Sequence, residues 1–145
     1  MFAAPPPGGR HANDYVMFVG LNPSTADETL DDPTIRRCIG FSKAWGYGAL
    51  CMTNLFAWRD TDPKAMKRAP LPVGQDNLRH LKECAAGAGL VIAAWGKDGK
   101  FACQDDLVRK ELYLNNIRLH HLGLNDDGTP KHPLYLKGST LPAPF

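Results

Sequence analysis

The chain has 145 residues, a length that suits one domain with a single hydrophobic core. Hydrophobic residues make up 43% and charged residues 22%, and the formal net charge of +2 is too small to indicate a nucleic-acid partner by itself. No apolar stretch reaches the ~20 residues that a membrane-spanning helix needs, so we expect no membrane partner and a cytoplasmic location.

Apolar runs and turn residues divide the chain into short elements. Residues 1–14, rich in Pro, Gly and Ala, predict a flexible arm that precedes a single domain over 15–145. Short apolar runs predict buried strands at residues 15–19, 50–54, 90–94 and 117–122. Apolar positions at helical spacing predict intervening helices over about 33–46, 75–86 and 100–115.

Local signals also mark where the first helix starts. Asp32 and Pro33 are typical of an N-cap followed by the first helical position, where the missing N–H of proline costs nothing. Strands that are apolar throughout and alternate with helices indicate a sheet covered on both faces. The sequence therefore predicts an α/β fold: three α/β/α layers around a central four-stranded parallel sheet.

Polar side chains concentrate in the loops that follow the four predicted strands. In a parallel sheet these loops lie at one edge, beyond the carboxyl ends of the strands, where ligands bind in such folds. The opposite edge has only short loops without chemically active side chains. We expect a small-molecule or nucleobase pocket walled by Asn22, Ser24, Asp27, Asn54, Trp58, Arg59, Trp95 and His132.

Asn22 and Asn54 are the two amide candidates. Asn22 stands beside Pro23, and its amide oxygen could orient a water molecule, although Asn, Pro and Ser are also common in simple turns. Asn54 offers one acceptor and two donors in a plane, which matches the edge of a nucleobase, but an Asx cap is the alternative. Trp58 could stack on a base or belong to the core, and Arg59 could pair with phosphate.

His132 lies in a polar loop, where an imidazole could donate to the anion that forms on a leaving base. Simple solvation is the alternative, and His120 and His121 within the fourth strand are expected to be structural. The carboxylates of Asp27, Asp31 and Asp32 could bind a cation, but capping and solvation explain them more simply, so no metal is predicted. For Arg36 and Arg37 we favour surface pairs with these aspartates over phosphate binding.

The cysteines are scattered, without the close pairs that metal sites use. We expect these side chains to be reduced core residues, and no cofactor is predicted for Cys38, Cys51, Cys84 and Cys103.

Several segments together resemble a bacterial and phage family known as domain of unknown function 1643. The matching segments lie within residues 15–137 and read LNPSTAD, DDPTIRRCIGFSKAWGYG, TNLFAWRDTDP, AAWG and DGTPKHPLYL. Their combined length makes the resemblance specific, but the family label implies no activity.

A more distant resemblance is to the uracil-DNA glycosylase superfamily. GLNPS at residues 20–24 is similar to the first catalytic motif of the mismatch-specific branch, and TNLFAWR at 53–59 resembles the base-recognising segment of the iron–sulfur branch. HPL at 132–134 resembles the second motif, H-P-S, but lacks its serine. The cysteine cluster of the iron–sulfur branch and an aromatic partner just after the first motif are also absent.

The resemblance implies a role for three residues: Asn22 would place the hydrolytic water, Asn54 would read the base and His132 would stabilise the departing base anion. We therefore expect a hydrolase that recognises a nucleobase, nucleotide or DNA and cleaves an N-glycosidic bond. The alternatives are a binding module that has lost hydrolysis and a transferase that uses the same pocket. The sequence leaves the identity of the base and the oligomeric state open.

Overall fold

The computed structural model describes residues 11–23, 32–56, 64, 67 and 76–145. Over these residues the strands and helices alternate along the chain, as the sequence predicts. The strands are β1 (His11–Gly20), β2 (Tyr47–Asn54), β3 (Leu90–Ala93), β4 (Leu119–His121) and β5 (Ala143–Pro144). The α-helices are α1 (Pro33–Ala44), α2 (Asn77–Gly87) and α3 (Gln104–Leu114), and two 3₁₀ segments span Lys97–Cys103 and Pro133–Tyr135.

The described strands form one sheet in the order β2-β1-β3-β4-β5. β1 pairs in parallel with β2 and β3, and β3 pairs in parallel with β4. β5 pairs antiparallel with β4, through His121 and Ala143. The predicted α/β class is confirmed, but the prediction of a purely parallel sheet of four strands is wrong.

The missed strand lacks the features that reveal a strand in a sequence. β5 has only two residues, one of them proline, and a proline cannot donate a ladder hydrogen bond. Pairing at the sheet edge defines this strand, and the amide of Phe145 next to it donates to the Leu119 carbonyl at 2.9 Å. Its position depends on packing, which the local sequence does not report.

Helices cover both faces of the sheet. Side chains of β1 that point to opposite faces are fully buried against different helices. Val16 and Phe18 pack with Cys38 and Phe41 of α1. On the other face, Met17 and Val19 belong to a cluster with residues of α2 and α3: Leu81, Ala85, Val108 and Leu112. These two clusters make the three layers that the apolar strands predict.

The start of α1 follows the predicted capping. The Oδ1 atom of Asp32 accepts a hydrogen bond from the Thr34 amide at 2.7 Å, and Pro33 is the first helical residue. The helix ends at Ala44, before Gly46 at a φ of +84°. Because the chain enters α1 from the β1 loop, the N-terminus of this helix lies at the carboxyl edge of the sheet.

Some element boundaries differ from the predictions. β1 begins at His11, four residues before the predicted start at Tyr15 and within the predicted arm. The helix expected from Lys100 begins at Gln104, because a 3₁₀ segment precedes it and Cys103 has a left-handed φ of +55°. β4 spans three residues, fewer than predicted.

Candidate functional site

The carboxyl ends of β1 to β4 share one edge of the sheet, because these strands run parallel. The strand order changes direction between β1 and β3, which is where α/β folds bind ligands. Of the predicted site residues, the structure describes Asn22, Asn54, Trp95 and His132. The other four lie outside the described residues: Ser24, Asp27, Trp58 and Arg59.

The loops after β1 and β2 remain paired beyond the strands. Gly20 and Asn54 are register partners, and the amides of Leu55 and Phe56 donate to the carbonyls of Gly20 and Leu21, both at 2.9 Å. These bonds hold the half-buried Asn22 close to the end of β2.

The absence of a side chain at Gly20 leaves room for the Asn54 carboxamide. A Cβ atom at position 20 would lie 2.8 Å from Asn54 Oδ1, so a side chain there would displace the amide. The Asn54 carboxamide makes no hydrogen bond to the other residues that the structure describes.

Asn77, at the first position of α2, supports this corner and was not predicted from the sequence. Its Nδ2 atom donates to the carbonyl oxygens of Asn54 at 2.8 Å and Leu55 at 3.0 Å. Both bonds go to backbone oxygens, so Asn77 fixes the main chain at Asn54 and does not contact the Asn54 carboxamide through them. An asparagine at a helix start is read as a capping residue, which hides this role in the sequence.

Trp95 follows β3 but lies in the packed interior, with 2% of its surface exposed. Its ring packs near Phe145, with 6.2 Å between ring centroids, and a Cβ atom at Gly99 would lie 2.1 Å from indole Cδ1. The indole N–H has no partner among the described residues. The structure thus places Trp95 with the α2 and α3 layer, and its predicted contact with substrate stays a prediction.

A hairpin after β4 carries the chain back along the carboxyl edge. Leu124 bridges Pro130, and the Lys131 amide donates to the Gly123 carbonyl at 2.8 Å. The Gly96 amide, just after β3, donates to the Pro130 carbonyl at 3.0 Å. This bond fixes residue 130 next to the β3 end, so His132 lies at the same edge as Asn22 and Asn54.

The imidazole of His132 has a defined hydrogen-bonding state. Its Nδ1 atom accepts the Leu134 amide at 3.3 Å, so the neutral ring carries its proton on Nε2. The ring keeps solvent contact, but its packed surroundings lower the pKa of His132 below 6.5, and the Asp32 carboxylate partly offsets this. A neutral His132 can therefore donate from Nε2.

The neighbouring histidines have structural contacts, as predicted. Nδ1 of His121 accepts the Gly123 amide at 3.0 Å, and the ring packs edge-on against Phe145. Burial lowers the pKa of His120, which lies between β3 and β5.

The carboxylates and cysteines form no metal-binding group of three within the described ranges. Asp32 serves as the helix cap, as expected. Cys38 and Cys51 are buried, and burial raises their pKa to about 12 and about 11. Cys84 is half-buried and Cys103 is exposed, so the expectation that all the cysteines lie in the core is wrong for Cys103.

Comparison with known proteins identifies a family. A family model described as a protein of unknown function, DUF1643, matches residues 8–134. No curated protein and no solved structure matches the chain. The described helices include none long and apolar enough to cross a membrane. Because the match covers most of its length, the chain belongs to the DUF1643 family.

Proposed function

We propose that this protein binds a nucleobase or nucleotide at the carboxyl edge of its sheet and hydrolyses the N-glycosidic bond. The observation that supports the proposal is that amide and imidazole side chains lie at the same edge of the sheet. Asn22 and Asn54 follow β1 and β2, and His132 is brought there by the bond between Gly96 and Pro130. A uracil-DNA-glycosylase-like arrangement of the layers is part of the same proposal.

Each group has a role that suits its chemistry. The planar amide of Asn54 pairs with the donor and acceptor edge of the base. Asn22 orients the water whose oxygen bonds to the sugar carbon as the C–N bond breaks. The base leaves with the electron pair of that bond, His132 stabilises the anion from Nε2, and a proton from the water ends on the base.

A binding module that lacks hydrolysis is the second candidate. Two observations favour it: the formal net charge is only +2, and residue 134, after His-Pro, is leucine and not serine. Gripping a duplex requires several Lys and Arg contacts to phosphates, so this charge favours a small nucleotide over duplex DNA. Such a module would bind a modified base or nucleotide in the same place without turnover.

The test is release of free base from duplexes that carry uracil, mismatched thymine or modified pyrimidines, and from the corresponding nucleotides. We expect Asn22→Ala and His132→Gln each to lower the rate by about 10²-fold or more. Asn115→Ala, at the opposite edge of the sheet, is the matched control for the Asn22 variant. His80→Gln, at an exposed position of α2, is the matched control for the His132 variant. Both controls should retain the full rate.

Two outcomes separate the candidates. Base release that is unchanged in Asn22→Ala would remove the catalytic assignment. Saturable, base-dependent binding without release from any substrate, weakened by Asn54→Ala, would favour the binding module.

A further inference from the structure

An open groove of about 520 Å³ runs between α1 and the segment that follows His132. We call it the α1 groove, and its volume falls within the range of about 300–1,000 Å³ typical of small-molecule sites. The described residues that line it include two arginines and no carboxylate: Pro33, Arg36, Arg37, Gly40, Phe41, Leu134 and Gly138. The α1 residues recur at helical spacing, so one face of the helix forms one wall.

Arg37 presents a positive charge that no carboxylate among the described residues pairs with. Its guanidinium lies over the Phe41 ring, 5.3 Å from the centroid. The Nε atom is buried without a hydrogen-bond partner, and Arg37 forms no ion pair within the described ranges. The surface pair with an aspartate that the sequence suggested for Arg37 is therefore not seen there. A guanidinium without an ion-pair partner in the described part of the chain is suited to bind an anion.

Two glycines line the groove beside this charge. Apart from its chain neighbours and the backbone of its own helix, a Cβ atom on Gly40 would have nothing within 4 Å, so open space lies beside this exposed position. Glycine is a poor helix former, and Gly40 stands in the interior of α1. On the facing wall, a Cβ atom on Gly138 would come 4.0 Å from Nη1 of Arg37. An oxyanion can approach the guanidinium from the open Gly40 side of the groove.

The α1 groove adjoins the candidate site. Leu134 lines the groove, and its amide donates to Nδ1 of His132. On the helix side, Asp32 caps α1 and its carboxylate interacts electrostatically with His132. A ligand whose base lies at the carboxyl edge could therefore extend its phosphate into the groove.

We propose that the α1 groove binds a phosphate group, held by Arg37 with Arg36 as a second positive charge. Planar guanidinium groups bind phosphate oxygens in pairs, which favours phosphate over a singly charged anion such as chloride. We assign this phosphate to the nucleotide of the proposed function. That assignment rests on the proposed function, whereas phosphate binding itself does not.

The experiment is a titration of the ¹⁵N-labelled protein, followed by amide chemical shifts and calorimetry at constant ionic strength. The probes are inorganic phosphate, deoxyuridine, its 5′-monophosphate and a short single-stranded oligonucleotide, with sodium chloride as the reference. Phosphate should shift amides within 34–41 and 134–138 with saturation. The monophosphate should bind more tightly than phosphate or deoxyuridine, and tighter binding of the oligonucleotide would identify a strand as the phosphate source.

The variants test the groove separately from folding. Arg37→Gln should weaken phosphate binding about tenfold or more, and Arg37→Lys should restore part of it. Gly40→Leu should fill the empty space and block binding while thermal stability is kept or raised, because leucine is the better helix former. Arg79→Gln, an exposed arginine of α2, is the matched control and should bind as the unsubstituted protein does.

The results distinguish this proposal from the proposed function. Equal phosphate affinity in Gly40→Leu, Arg37→Gln and the unsubstituted protein would overturn the phosphate site, as would shifts that chloride reproduces. Saturable phosphate binding without base release from any substrate would uphold the site and reject hydrolysis. Base release that survives Gly40→Leu at full rate would support hydrolysis and reject the assignment of the phosphate to the substrate.

Discussion

At the scale of single residues, the chemistry proposed for the carboxyl edge depends on a neutral His132. Its Nδ1 accepts a backbone amide, an arrangement that is lost when both ring nitrogens carry protons. Desolvation and this hydrogen bond both oppose the charged form, and the Asp32 carboxylate acts in the other direction. His132 is therefore set to donate from Nε2 at neutral pH.

We expect the NMR titration of His132 to give a pKa below 6.5, the value of an unperturbed histidine. The unfolded chain then binds more protons between the two pKa values, so the stabilising contribution is complete above pH 6.5 and is lost as the pH falls through the folded pKa. His132→Gln should remove this component from a plot of unfolding free energy against pH.

Asp32→Asn gives an independent check on the electrostatics around His132. It removes the carboxylate that favours the imidazolium, so the pKa of His132 should fall further in this variant. A pKa at or above 6.5 in the unsubstituted protein would contradict a neutral His132.

At the scale of elements, the first turn of α1 contributes both to stability and to the site. Asp32 satisfies the Thr34 amide, and the same turn leads into the wall that carries Arg36 and Arg37. A side-chain cap satisfies an amide that has no partner within the helix.

Asp32→Ala should therefore lower the unfolding free energy by about 1 kcal/mol. The measurement is urea unfolding at pH 8, where His132 is neutral in the folded and unfolded chains and does not contribute. Asp32→Ser retains a capping oxygen and should lose only a small part of this stability. Equal losses in the serine and alanine variants would show that the cap is not the cause.

The Lys97–Cys103 segment shows where element prediction from sequence fails. Phe101, Val108 and Leu112 have helical spacing. Val108 and Leu112 are buried, as expected. The chain nevertheless kinks at Ala102 and Cys103, which both have positive φ. The tight contact between Gly99 and the Trp95 ring lies in this segment, and a pattern of apolar positions does not encode such a contact.

At the scale of the whole molecule, the strand order puts β1 in the interior of the sheet. Parallel partners flank it on both sides, and Val16, Met17, Phe18 and Val19 are fully buried. β5 has two residues and contacts only the neighbouring β4 in the described sheet. The molecule should therefore open from the β5 side first.

Hydrogen exchange tests this order. Amides of residues 16–19 should exchange only through global unfolding, with a free energy equal to that from denaturant titration. The Phe145 amide, which donates to Leu119, should exchange through local opening at much lower free energy. Comparable protection of Phe145 and residues 16–19 would contradict a separately opening edge.

The sequence by itself determined the α/β class, the alternation of elements and the start of α1. Apolar runs, helical spacing and the Asp32–Pro33 cap act over a few residues, so they can be read without knowing the fold. The carboxyl-edge placement of Asn22 and Asn54 follows from that alternation, because successive parallel strands must end at the same edge.

Only the tertiary structure decided the features that depend on distant pairing. The antiparallel β5, the burial of Trp95 and the support that Asn77 gives to Asn54 all join residues far apart in the chain. The same holds for the α1 groove, where Arg37 faces a segment about a hundred positions away. Local sequence reports the propensity and polarity of a residue, whereas its partner is set by how the whole sheet and its helices pack.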